Sequence, residues 1–130
     1  MVQYHGTTRT KRSGSGGRFH SNKKKQKYRM GRFPANTLMG PDRVKKIRTR
    51  GGNFKLRLHR ANTCNVTNTE TGKTVKCKIL DVDDNPADKN FARRKIMSKG
   101  AIIRTEKGMA RISNRPGQTG SINAVLIADK

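Results

Sequence analysis

Arg43-Val44-Lys45-Lys46-Ile47-Arg48-Thr49-Arg50-Gly51-Gly52-Asn53-Phe54-Lys55-Leu56-Arg57-Leu58 is the stretch on which the fold turns. Val44 alternates with basic residues, Gly51-Gly52-Asn53 interrupts, and Phe54, Leu56 and Leu58 resume a period of two with Lys55 and Arg57 between them. A period of two marks a strand with two unlike faces, and a glycine-rich break marks a reversal, so two strands and a turn are predicted. One face should be apolar and buried. The other should carry cations at every second residue, about 6.6 Å apart, a spacing suited to the phosphates of a nucleic-acid backbone.

Downstream, the even-numbered apolar phase runs on through Cys64 and Val66, which makes the second strand long or bent. The turn Thr69-Glu70-Thr71-Gly72 leads into Val75, Cys77 and Ile79, alternating with Lys76 and Lys78. A hairpin centred between Glu70 and Thr71 sets Cys64 opposite Cys77, Val66 opposite Val75, and Arg60 opposite Asp81 as a cross-strand ion pair. Leu80 and Val82 fall in the other phase, which predicts a bulge near Ile79. The two cysteines are too few for a disulfide framework and lack the paired spacing of a zinc site, and His5, His20 and His59 do not cluster with them. They read as small core residues.

Asp83-Asp84-Asn85-Pro86-Ala87-Asp88 concentrates acid ahead of a short helical turn that Asp88 would cap. No oxygen-rich loop with calcium spacing follows, so no metal site is expected. Phe91, Ile96 and Met97 can cover one end of the core. A second hairpin is expected from Ala101–Arg104, a Glu106-Lys107-Gly108 turn and Met109–Ile112. A rigid loop, Ser113–Gly120, then precedes a closing strand within Ile122–Ala128. The fold class that results is all-β: a small six-stranded barrel or a strongly curled antiparallel sheet, with a long basic extended N-terminal arm.

That arm is residues 1–41, and the barrel domain residues 42–130. Arg9, Lys11, Arg12, Arg18, Lys23, Lys24, Lys25, Lys27, Arg29 and Arg32 lie in it with no acid. So many like charges among so few apolar residues predict a segment disordered when free. Tyr4, Phe19, Tyr28 and Phe33 offer flat surfaces for bases to stack on. Gly14-Ser15-Gly16-Gly17 lacks the buried strand and helix start of a phosphate-cradling loop, and reads as a flexible spacer. Lys23-Lys24-Lys25-Gln26-Lys27 has the composition of a nuclear signal, but also that of most RNA-binding arms.

The 130 residues carry 31 Lys and Arg against 8 Asp and Glu, a net charge of +23 that calls for a polyanionic partner. Hydrophobic residues are only 31%, against about 45–50% in globular chains, so the core must be small. No apolar run approaches the roughly 20 residues of a membrane helix, and no signal-peptide pattern is visible; a soluble intracellular protein is expected. No nucleophile elbow or carboxylate pair supports catalysis.

Several motifs converge on one family. Arg48-Thr49-Arg50-Gly51-Gly52-Asn53 after Asn36-Thr37 and Gly40-Pro41, with Ser113-Asn114-Arg115-Pro116-Gly117-Gln118 near the end and Ser15-Gly16-Gly17-Arg18 upstream, resembles the small-subunit ribosomal protein family eight-e of archaea and eukaryotes. The chain is similar to the compact archaeal form: Glu106-Lys107-Gly108 stands where eukaryotic members carry a long helical insertion. Asn114 departs from the small residue expected before Arg-Pro-Gly.

The resemblance implies a structural, non-enzymatic ribosomal protein of the cytoplasmic small subunit, with a β-barrel body and a basic arm. Its implied partners are small-subunit ribosomal RNA and neighbouring ribosomal proteins, with no membrane, cofactor, metal or small-molecule substrate. By carry-over, Arg48, Arg50, Gly51, Gly52 and Asn53 belong to one family motif, and Arg115, Pro116 and Gly117 to another. Chemistry adds Arg43, Lys45, Lys46, Lys55 and Arg57 as candidate RNA-binding residues together with the ten arm cations, because arginine grips phosphate with a fork and glycine lets backbone approach it. A ribosome-assembly factor sharing this domain is the nearer rival. A DNA-compacting protein is the more distant one, since no recognition helix or inserting wedge is evident.

Overall fold

The structure is a computed structural model that describes residues 14–18 and 26–127. The chain divides into two compact units, Met1–Pro34 and Ala35–Lys130. In the first, a 3-10 turn among the described residues, Lys27–Arg29, is closed by the Arg29 amide donating to the Gln26 carbonyl at 3.0 Å.

The described residues of the second unit form eight strands: β1 (Leu38–Met39), β2 (Arg43–Arg48), β3 (Phe54–Ala61), β4 (Thr63–Thr67), β5 (Thr74–Asp84), β6 (Ile102–Thr105), β7 (Gly108–Ile112) and β8 (Asn123–Leu126). Two short helices, α1 (Lys89–Arg93) and α2 (Pro116–Thr119), interrupt them. Strands β4 to β8 close a five-stranded barrel, and β1, β3 and β2 form a separate three-stranded sheet. The all-β barrel expectation holds, but the strands divide between a five-stranded barrel and a three-stranded sheet where six in one barrel or curled sheet were expected. Its antiparallel ladders are joined by two parallel pairings, β4 with β8 and β1 with β3. The first of these shuts the barrel and removes its edges.

A five-stranded barrel is narrow, and its interior is filled by side chains rather than by a cavity. The residues supplied suit that width: Cys64, Cys77, Ala101, Ala110 and Ala124 are small, and Val66, Ile79, Val82, Ile103 and Ile112 fill the remainder. Cys64 faces Cys77 and Val66 faces Val75, the predicted register. Leu58 and Ala61 of β3 belong to the same core and seat the three-stranded sheet on the barrel.

The predicted Arg60–Asp81 pair does not form. The chain bends at Asn62, so Arg60 stays in the outer sheet opposite Leu38 and Arg43, while Asp81 lies opposite Arg104 on β6 and binds the Lys95 ammonium at 2.6 Å. The bend also explains the apparent continuity of apolar phase. Leu58 is buried, Arg60 exposed and Ala61 buried, and burial resumes at Cys64 on a new strand. The predicted bulge lies between Ile79 and Asp81; it leaves Leu80 outside and returns Val82 to the core.

Asp88 caps α1, its carboxylate accepting from the Asn90 amide at 2.8 Å. Asn85 is the buried centre of this turn: its side-chain amide donates to the Ile96 carbonyl at 2.8 Å, and its oxygen accepts from the Ala87 amide and the Ser98 hydroxyl. Among the described residues, no group of three or more His, Cys, Asp or Glu is placed to hold a metal. Ordered sheet structure begins before residue 42, since β1 pairs with β3 and the buried Thr37 hydroxyl donates to the Leu58 carbonyl at 2.8 Å.

Candidate nucleic-acid interface

The β2–β3 hairpin is the two-stranded ribbon that periodicity predicted. Its register sets Val44 opposite Leu58, Lys45 opposite Arg57, Lys46 opposite Leu56, Ile47 opposite Lys55 and Arg48 opposite Phe54. One face therefore carries Lys45, Lys55 and Arg57 around Ile47. The other carries Lys46 and Arg48 among Val44, Phe54, Leu56 and Leu58.

This corrects the expectation of one apolar buried face and one cationic face: both faces are charged. Of the apolar residues on this second face, Leu58, at the root of the hairpin, is the one that enters the core; Val44 is 48%, Leu56 47% and Phe54 57% exposed. The outer half of the hairpin contributes no residue to the buried core. The signal was in the sequence, because Lys46 and Arg48 share the parity of Val44. Lys46 finds a partner on this face, its ammonium 4.0 Å from the centroid of the Phe54 ring.

The reversal is held by the Thr49 amide donating to the Asn53 carbonyl at 2.7 Å. Gly51 and Gly52 take φ of 73° and 75°, a region that side chains with a Cβ adopt at a cost. A Cβ at Gly52 would point into open space.

Charge is distributed unevenly. Lys45 and Arg57 stand directly opposite each other, as do Arg43 and Arg60, and like charges in such positions destabilise a sheet. The acids are spent elsewhere. Asp81 pairs with Lys95, and Asp83 with Arg104 at 3.3 Å, both on β5. Hydrogen bonds from Lys95 and from the Val82 amide hold the Asp81 carboxyl below its ordinary pKa. Asp42, beside β2, accepts from the Asn62 amide at 3.0 Å.

The second family motif comes to lie against this hairpin. Residues 113–120, expected as a loop, contain the one-turn helix α2, with Pro116 at its first position and Gly120 at φ 80° closing it. The helix packs on β3, and a Cβ at Gly120 would meet that of Leu56 at 3.1 Å. A cleft of about 410 Å³ runs between them, lined by Phe54, Lys55, Leu56, Arg57, Gln118 and Thr119. Asn114 organises the loop. Its amide donates to the Thr119 hydroxyl at 2.7 Å and the Ser121 carbonyl at 2.8 Å, and its oxygen accepts from the Asn123 amide.

Arg115 is exposed, Pro116 buried, and Gly117 packs so that a Cβ there would come within 3.1 Å of the Ala35 Cβ. Gln118 and Thr119 are thus brought beside Phe54, Leu56 and Arg57 in a cleft that no local pattern announces. In the arm, Arg18, Lys27, Arg29 and Arg32 are exposed, as are Tyr28 and Phe33, and the Arg29 guanidinium lies 5.5 Å from the Tyr28 ring centre. Arg9, Lys11, Arg12, Lys23, Lys24 and Lys25, with Tyr4 and Phe19, lie outside the described residues.

Comparison with known proteins places these features in one lineage. The small ribosomal subunit protein eS8 of Methanocorpusculum labreanum is 51% identical over 116 residues, covering 89% of this chain and 93% of that protein. The protein of the same name from Nanoarchaeum equitans is 52% identical over 112 residues, 85% of this chain and 88% of its own. That of Methanocella arvoryzae is 42% identical over 127 residues, 98% of this chain and 100% of its own. The family model described as ribosomal protein S8e matches residues 6–127, a span that includes the hairpin, its glycine turn and the Arg-Pro-Gly helix start, and the chain belongs to that family.

Proposed function

We propose that this chain is a structural, non-enzymatic constituent of the small ribosomal subunit in the cytoplasm, where it binds ribosomal RNA beside neighbouring ribosomal proteins. The observation that carries the reading is the facing of Lys45 and Arg57 across the hairpin while the nearby carboxylates of β5 serve other cations. A sheet that sets like charges opposite each other gains when phosphate enters between them. The relatives' shared name, small ribosomal subunit protein eS8, supports ribosomal RNA as that polyanion.

In this reading Arg43, Lys45, Lys46, Arg48, Arg50, Lys55 and Arg57 grip the sugar-phosphate backbone from both faces of the hairpin. Gly51, Gly52 and Asn53 let the turn approach it closely, and Arg115 extends the footprint from the start of α2. Gly117 serves the same surface by fitting α2 against Ala35. The arm, residues 1–41, supplies the cations from Arg9 to Arg32. Sedimentation of the tagged protein tests the role. Co-migration with mature small subunits and translating ribosomes is expected, whereas confinement to precursor particles or to chromatin would overturn it.

A further inference from the structure

We infer that the cleft between β3 and α2 receives an unpaired RNA base, stacked on Phe54 and held at its edge by the Gln118 amide. The inference rests on the RNA-binding reading above and adds to it a nucleotide-sized subsite, because phosphate contacts alone need no aromatic ring or amide.

The geometry has four parts. Phe54 is 57% exposed at the start of β3, so much of its ring is open to a stacking partner. Lys46 lies over the ring, and this drains no stacking capacity from its remaining exposed surface, since a base has a π-face of its own and the cation adds to the attraction. Leu56, 47% exposed, continues the apolar floor toward Gly120. Gln118 on the far wall is exposed and its side-chain amide makes no hydrogen bond among the described residues, which leaves two donors and an acceptor for a base edge.

Thr119, by contrast, is occupied: its hydroxyl accepts from Asn114 and lies 3.0 Å from the Arg115 carbonyl, fixing the wall in place. The cleft, at about 410 Å³, has the dimensions of a small-molecule site, and Lys55 and Arg57 in its lining match the phosphates flanking a displaced nucleotide. A duplex cannot use this arrangement, because its bases are stacked on one another, whereas a loop or bulge can splay a base outward.

The test uses the full chain and two short RNAs, a single strand carrying 2-aminopurine and a fully paired duplex. The parent should quench 2-aminopurine fluorescence on binding. Phe54→Ala should weaken single-strand binding roughly 5- to 140-fold, the range that about 1 to 3 kcal/mol of stacking per base corresponds to, and should leave duplex binding unchanged. Phe54→Tyr, which keeps the ring, should retain both the quench and the affinity, and Gln118→Ala should lose part of the preference among bases. Single-strand binding by Phe54→Ala equal to the parent's, or an equal loss on both RNAs, would overturn the subsite. The RNA-binding reading fails separately, if the parent binds neither RNA in a salt-dependent way.

Discussion

Replacing Lys45, Lys55 and Arg57 together by Gln removes the charge from one face of the β2–β3 hairpin and should lower RNA affinity without lowering stability. All three project from the hairpin on the face around Ile47, and Lys45 stands directly opposite Arg57. If each neutralises one phosphate of an extended RNA segment, the slope of log affinity against log salt becomes shallower by roughly 0.7 for each, about 2 in all. Between 200 and 50 mM salt a slope difference of that size makes the parent gain roughly 20-fold more affinity than the variant.

Folding should respond in the opposite sense, because separating like charges that face each other across a sheet relieves about 0.2 to 1 kcal/mol. The assay is a binding isotherm on ribosomal RNA at four salt concentrations, paired with urea unfolding of the free protein. A variant with the parent's slope would refute the reasoning and move the footprint off this face. A variant that binds weakly only because its unfolding midpoint has fallen would refute the claim that these charges work against the fold.

Gly52→Asn should keep most of the parent's stability, since Asn tolerates the left-handed region, while Gly52→Val should lose about 1 to 2 kcal/mol. Because a Cβ at Gly52 faces open space, both should weaken RNA binding when folded; a Gly52→Asn variant that binds like the parent would make the pair purely architectural. Asp81 is held below its ordinary value of 3.8 chiefly by Lys95, so the stability it contributes is present above about pH 4 and lost as pH falls through the depressed folded value. Asp81→Asn should remove that acid-limb dependence from the unfolding midpoint; an unchanged profile would show that the pair contributes nothing. Burial first, and the neighbouring Cys77 second, push the Cys64 thiol up to about 11, so iodoacetamide at pH 8 should label it only as fast as the barrel opens. Labelling faster than amide exchange in β4 would contradict the closed barrel.

Where a short hairpin was concerned, sequence resolved the structure to individual partners. Cys64 with Cys77 and Val66 with Val75 followed from a period of two and a turn, since slipping by one residue would turn every side chain to the wrong face. The same argument failed four residues upstream of Cys64, at Arg60, because it assumed an unbroken strand across Asn62. The parallel pairings had no local signal at all. Asn65 with Asn123 and Leu38 with Arg60 join residues far apart in the chain, and only closure of the barrel and seating of the sheet select them. Helix α2, at four residues, is too short for a helical period to show.

For the interface, the letters were legible before their uses were. Lys46 and Phe54 were visible as a cation and an apolar residue in alternating strands, but their contact depends on a register fixed by the turn between them. The glycines separate more sharply. Gly51 and Gly52 adopt positive φ on a turn with open space around Gly52, so a side chain at Gly52 strains the backbone and, under the proposed RNA-binding role, would stand in the path of an approaching phosphate. Gly117 has no positive φ; it is glycine because the Ala35 Cβ lies 3.1 Å from where its own would be. A substitution there has to move either Ala35 or α2, and α2 is the wall of the cleft. Gly117→Ala should therefore weaken binding through a displaced Gln118 and leave the salt slope intact, whereas a change at Gly52 acts on phosphate contact itself and flattens it.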